Sequence, residues 1–360
     1  MRPVFPPARS SDSCSTGHEI EGIRSLRATR TVWTCRAVRQ KSVRGRPPNA
    51  TVRPSPRLCP RLAAVDEQLR VGLVGAGPWA AEVHAPGLAD HPGTVLSAVW
   101  TRRPEPGREL AEAHGATAYT DVDALIAEVD AVAFAVPPAV QAELAVRAAK
   151  AGRHVILEKP IAADLAGARR VAEAVEEAGV ASLVMLTLRY ATETQDWLAN
   201  LAQAGGWTGG SAHWVSGALL NEKYSDSAWR HADGALADVG PHAIDLLEAA
   251  LGRVERVLAA HRTADDLWHL MLAHETGATS DATLSLRTPV EPSLIAFRVY
   301  GEHGYRAMER RPGNATDSYT AMLDDFAALV ASDTRTHPLD VHRGVELQRV
   351  LDEAFQLARP

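Results

Sequence analysis

The chain has 360 residues and a formal net charge of −6, and no apolar run approaches the roughly 18–20 residues that a membrane span needs. That length accommodates two hydrophobic cores. Residues 1–65 hold 13 Lys and Arg against Asp12, Glu19 and Glu21, so the body that follows is strongly acidic, which argues against a basic nucleic-acid-binding face.

Residues 1–65 differ from the rest in more than charge. They carry eight of the 22 prolines and all three cysteines (Cys14, Cys35, Cys59), with almost no periodic apolar pattern. The cysteine spacings match no metal site, and three cysteines cannot pair off. Too few apolar residues are present to offset ordering entropy, so this stretch reads as a disordered or non-native extension, with translation starting nearer residue 66. The cysteine-free body suits a reducing cytoplasm.

Leu69–Ala80 is the stretch around which the body is organised. Val71, Leu73 and Val74 form a short buried strand, and Gly75, Gly77 and Ala80 then make G-x-G-x-x-A, where a strand turns into a helix from about Pro78. Gly75 suits the tight turn, Gly77 lets backbone approach a pyrophosphate, and Ala80 allows close helix–strand packing. Dinucleotide phosphates are expected on the free N–H groups of the helix that starts at about Pro78, with Ala76, Gly77, Pro78 and Trp79 as the cofactor-binding turn. A strand–helix rhythm continues: strands at 95–100, 118–119, 131–136, 154–157 and 180–187, with helices at 105–114, 121–128, 139–152 and 164–179 between them. Asp121 and Asp164 are placed to cap their helices, and Gly115, Gly152 and Gly179 to end theirs. This is the order of a doubly wound parallel sheet.

After Arg189 the rhythm changes. A helix at 192–204 leads to a strand at 211–216, a polar loop with Tyr224, Trp229 and Arg230, and a helical stretch at 234–251. Five strands in succession (254–262, 267–274, 281–287, 294–300, 305–309) suggest a mainly antiparallel sheet, and helices at 318–332 and 341–358 end the chain. The predicted fold is therefore α/β: an extension over 1–65, a dinucleotide-binding domain over 66–188, and an α+β domain over 189–360.

Three motifs in this order resemble the glucose-fructose oxidoreductase / inositol dehydrogenase (Gfo/Idh/MocA) family of sugar and cyclitol oxidoreductases. They are the Gly75-x-Gly77-x-x-Ala80 turn, Glu158-Lys159-Pro160, and Gly234-Ala-Leu-Ala-Asp238-Val-Gly240-Pro-His242-Ala-Ile-Asp245. The resemblance implies an N-terminal Rossmann domain, a C-terminal domain whose sheet forms a homodimer or homotetramer interface, and a cis bond at Lys159–Pro160. It also implies hydride exchange between a nicotinamide cofactor and a secondary alcohol or ketone of a sugar, cyclitol or polyol. The alternative is a dinucleotide-binding sensor without catalysis. Two positions depart from the family's pattern. Gln141 stands where a His often follows the Pro137-Pro138 pair, and the second strand ends in Thr101-Arg102-Arg103 instead of an acid.

Lys159 follows a strand's C-terminal end, where open α/β sheets bind ligands, and a cation there stabilises charge on a substrate oxygen. Asp238 and His242 are four residues apart and share a helix face, with Asp245 near the same line. The imidazole suits proton transfer near neutral pH, taking the hydroxyl proton directly or through Lys159, with Asp238 orienting the pair; the sequence leaves open which of the two is the immediate base. Pro241 leaves open whether the helix runs through 238–242 or starts near 241. An Asp-His-Asp metal reading lacks a ligand set typical of zinc, so no metal is expected. Pro137, Glu158 and Lys159 are expected beside the cofactor, and Thr101, Arg102 and Arg103 near its adenosine ribose, where they favour NADP(H) over NAD(H). Arg189, Tyr224, Trp229, Arg230 and Asp245 are candidates to line a polyol pocket, while His84, His91 and His213 are assigned no role.

Overall fold

A computed structural model describes residues 68–221 and 227–358, so the 1–65 extension and Tyr224 lie outside the described residues. The first half builds a parallel sheet from β1 (Leu69–Val74), α1 (Ala85–Asp90), β2 (Thr94–Trp100), α2 (Pro104–Ala113), β3 (Thr117–Tyr119), α3 (Val122–Glu128), β4 (Ala131–Phe134), α4 (Pro138–Lys150), β5 (His154–Glu158), α5 (Leu165–Ala178) and β6 (Ser182–Met185). A π-helical turn at Ala80–His84 precedes α1, and the helical run begins at Pro78. The strand order is β3-β2-β1-β4-β5-β6, all parallel, so the order reverses between β1 and β4. Ligands bind at such a reversal because the two flanking crossovers leave a crevice there. Every residue of β4 is buried, as both faces of the sheet are covered.

Local chemistry sets the helix ends. Asp121 accepts from Asp123 N (3.0 Å) and Asp164 from Gly167 N (2.6 Å), while Gly179 closes α5 at φ 63°.

The second half contains α6 (Thr187–Tyr190), α7 (Thr192–Ala204), β7 (Trp207–Val215), α8 (Ala228–Leu251), β8 (Val254–Arg262), β9 (Trp268–His274), β10 (Thr279–Ser285), β11 (Leu294–Gly301), β12 (Gly304–Met308), α9 (Ala315–Ala331) and α10 (Val341–Leu357). Its sheet runs β12-β11-β7-β10-β9-β8, with only the β7–β10 pair parallel. β7 starts four residues earlier than expected. Gly209 and Gly210 hide its beginning in the sequence, yet Gly209 lies under the ring of Tyr300, where a side chain would collide.

Of the two alternatives at Pro241, the helix takes the first and runs through 238–242. The break is at Gly234 (φ 71°, ψ −158°), and the helix then runs unbroken through Asp238, Pro241 and His242. Asp266 accepts from Ala235 N (2.8 Å), capping that restart from the β8–β9 turn. Its carboxylate would meet any Cβ at position 234, so only glycine fits.

The C-terminal helices return to the parallel sheet: α9 packs on α1, α6 and β6, and α10 on α5, α8 and β8. Val184 N donates to Leu339 O (2.8 Å) and Val341 N to Ser182 Oγ (3.1 Å), which covers the open edge of β6.

Candidate active site

A cleft of about 680 Å³ opens where β1 and β4 diverge, and α8 and the second sheet close its far side. The glycine turn forms its floor. Gly75 N donates to Trp100 O (2.8 Å) and Ala135 N to Val74 O (2.8 Å), which tie the turn to both flanking strands. Gly75 has φ 120°, and a Cβ there would sit 2.4 Å from Ala135 O. Around Gly77 nothing lies within 4 Å of where a Cβ would be, so backbone is exposed to the cleft. Ala76, Pro78, Trp79 and Pro137 line the same wall, so the residues present fit a dinucleotide's phosphates. Thr101, Arg102 and Arg103 stand at the mouth, where both arginines are exposed.

The polar end is built by β5 and α8. The peptide bond at Lys159–Pro160 is cis. Lys159 Nζ donates to Asp238 Oδ1 (2.8 Å) and to Asp238 O (2.7 Å), and Arg230 Nε to Asp238 Oδ2 (3.0 Å). Burial alone would raise the Asp238 carboxyl, but Lys159 and Arg230 outweigh it and hold the pKa at about 2. Of the two groups that Asp238 is expected to orient, it therefore hydrogen-bonds the lysine, and among the described residues it makes no hydrogen bond to the imidazole of His242. Arg230 also donates to Ser227 Oγ (3.2 Å) and lies 4.6 Å from the centroid of Trp229, so it braces Asp238 beside the cleft.

His242 is buried and stacks on Trp214, centroids 5.6 Å apart at 24°. Burial first, then the charges of Lys159 and Arg311, push its pKa well below the ordinary 6.5, against the weaker pull of Asp238. The imidazole is thus neutral at neutral pH. Because the unfolded chain would bind that proton at 6.5 and the folded one only well below it, this group makes stability fall as pH drops under 6.5, by up to about 1.4 kcal/mol per pH unit.

Glu158 faces the other way along the cleft. Its Oε1 accepts from Trp79 Nε1 (2.6 Å) and bonds His84 Nε2 (2.9 Å), while Tyr319 Oη bonds His84 Nδ1 (3.1 Å). His84, assigned no role from sequence, is fully buried in this chain. Gln141, also fully buried, pins the same loop: its Oε1 accepts from Glu158 N (2.9 Å) and its Nε2 donates to Glu158 O (2.7 Å). An amide reaches both backbone groups of one residue, so the residue that departs from the family's pattern still anchors the motif.

Two expected pocket residues lie elsewhere. Arg189 Nη1 donates to Asp245 Oδ1 (3.0 Å), and Arg343, which also pairs with Glu248, donates to the same oxygen (2.7 Å). This cluster ties α6, α8 and α10 together outside the cleft, and it removes Asp245 from the Asp-His-Asp set. One turn beyond His242, the helix face has rotated from the cleft toward α10. Sequence reasoning missed Thr187, Trp214, Ser216 and Arg311, all of which line the cleft. A lone Trp near a strand end or a Ser after it has no sequence signature.

Residues 69–186 match the sequence model of an oxidoreductase family with an NAD-binding Rossmann fold, GFO_IDH_MocA, and residues 206–306 match the model of the GFO/IDH/MocA C-terminal domain. A dTDP-3,4-didehydro-2,6-dideoxy-alpha-D-glucose 3-reductase of Streptomyces violaceoruber is 31% identical over 255 residues, covering 68% of this chain and 70% of its own. Among solved structures, a protein of gentamicin A biosynthesis in complex with NAD superposes with a TM-score of 0.72 at 23% identity, over 81% of this chain and 94% of its own. A 3-ketoreductase from Actinomadura kijaniata in complex with NADP does so with 0.66 at 20% identity, over 81% and 98%.

Proposed function

This chain belongs to the Gfo/Idh/MocA family of NAD(P)-dependent oxidoreductases, and we propose that it acts on a secondary alcohol or ketone of a sugar, cyclitol or related polyol, a bound nicotinamide taking or giving the hydride. The observation that carries this reading is the Lys159–Asp238 pair at 2.8 Å, in the same cleft as the glycine turn and His242. Gly75, Ala76, Gly77, Pro78 and Trp79 hold the phosphates, and Pro137 and Glu158 flank the nicotinamide end. Lys159, oriented by Asp238, hydrogen-bonds the reacting oxygen and stabilises its developing charge. The neutral His242 accepts the hydroxyl proton in oxidation and returns it in reduction. The relative from Streptomyces violaceoruber is named for reduction of a keto sugar, which supports the substrate class.

The depressed His242 pKa sets a pH test. In alcohol oxidation, kcat/KM should stay level from neutral pH to below 6.5 before its acid limb falls. His242→Asn should remove that limb. An acid limb centred at 6.5 or above would assign the base to another group.

For the cofactor, we propose a preference for NADP(H). Thr101 can donate to a 2′-phosphate, and Arg102 can pair with it or stack on adenine, where a carboxylate would repel it. Charge-assisted hydrogen bonds of roughly 1.5–3 kcal/mol correspond to about 10–100-fold tighter NADP(H) binding. Calorimetric titration of both cofactors tests this. Equal or tighter NAD(H) binding, or a preference unchanged in Arg102→Ala, would reject it.

For assembly, we propose a homodimer or homotetramer through the outer face of the second sheet. Register places Met271, Tyr300 and Tyr305 on that face, each about half exposed, opposite the face covered by α8. No helix among the described residues is long and apolar enough to cross a membrane, and the cysteine-free body supports placing the enzyme in the cytoplasm.

A further inference from the structure

Three buried polar atoms on the cleft wall lack a hydrogen-bond partner among the described residues: Thr187 Oγ1, Ser216 Oγ and His242 Nδ1. Their residues are only 5%, 5% and 6% exposed. They come from three separate elements, namely the first residue of α6, the residue after β7, and α8. The backbone around them is firmly held. Ser216 N donates to Ser285 O (2.9 Å), Ser216 O accepts from Thr288 N (3.1 Å), and Arg189 N closes the α6 turn on Leu186 O (2.8 Å). The backbone that carries the hydroxyls is therefore held, while the fold gives the hydroxyls themselves no partner. Burying a hydroxyl away from water without a partner is unfavourable, so an unpaired hydroxyl on a cleft wall calls for a partner that the fold does not supply.

We infer that Thr187 and Ser216 are receptors for two substrate hydroxyls beside the reacting one. Seryl and threonyl hydroxyls both donate and accept, which matches an uncharged OH better than a carboxylate or an ammonium. The ligand this wall fits is a polyhydroxylated ring or chain with hydroxyls flanking the carbon that faces Lys159 and His242. The assignment of that carbon rests on the oxidoreductase reading above; the two receptor residues do not. A site built to hydrogen-bond a substrate hydroxyl also discriminates strongly against the deoxy analogue, because its own group is then left unpaired.

The test uses the full chain as Thr187→Val and Ser216→Ala, near-isosteric changes that remove only the unpaired group. Without ligand, the thermal midpoint of each variant should hold or rise, since an orphaned polar group is lost. With NADP+ bound, calorimetry with myo-inositol, D-galactose and D-xylose should show binding to the wild type and roughly tenfold weaker binding to each variant. Affinity for NADP+ should be unchanged. A midpoint that falls by several degrees would show that the hydroxyls hold the fold, and would overturn the inference. So would polyol affinity equal to wild type in both variants, or no polyol binding to the wild type. Polyol binding that depends on Thr187 and Ser216 without any turnover would support the receptor site while rejecting the redox reading. Turnover indifferent to both variants would do the reverse.

Discussion

Lys159→Ala should lower turnover by about 10²–10⁴-fold while the dinucleotide still binds, because the change removes the donor to the reacting oxygen and leaves the phosphate-holding turn intact. That loss corresponds to roughly 3–5 kcal/mol of barrier. The side chain is only 12% exposed and held by both the carboxylate and the carbonyl of Asp238, so its ammonium has one geometry to offer. Lys159→Arg should rescue little, since a planar guanidinium presents its donors in a different fork from an ammonium's point charge. His242→Ala should produce a loss of similar size. Steady-state kinetics on a polyol panel, with cofactor binding measured separately, reads both. Near-normal turnover in the two variants would mean that this cleft binds a dinucleotide without the chemistry assigned to it.

Arg343→Met should destabilise the folded protein by about 3–5 kcal/mol, the cost of leaving buried charge without its partner. Asp245 and Glu248 have side chains 1% and 3% exposed, and Arg343 bonds both. Those carboxylates outweigh the effect of burial and keep the guanidinium firmly protonated. After the change, among the described residues, the Asp245 carboxylate retains Arg189 and that of Glu248 the backbone N–H of Val254. Denaturant unfolding measures the loss. At a temperature where the variant is still folded, KM for the polyol should stay within about threefold of wild type, as a buried cluster outside the cleft affects stability and not recognition. A raised KM with unchanged stability would return Arg189 and Asp245 to the substrate pocket for which the sequence made them candidates.

These two predictions fall on either side of what the chain shows before it folds. The strand–helix order, the glycine turn, the caps at Asp121 and Asp164, and the shared helix of Asp238 and His242 rest on residues close in sequence. For them backbone sterics and helix periodicity act over a few positions, so spacing alone is informative. Even there, distance matters: the four-residue spacing of Asp238 and His242 put them on one helix, but Lys159, 79 positions earlier, took the carboxylate. The roles of the remaining polar residues were decided only by tertiary structure. Asp245 is buried because Arg343 arrives 98 positions later. His84 gains a role because Tyr319 meets it from 235 positions away. Thr187 and Ser216 matter because two sheets close on one cleft and leave their hydroxyls unpaired. A charged or hydroxylated side chain has no fixed meaning of its own: its desolvation, and hence its function, depends on which groups the fold places within about 3 Å of it.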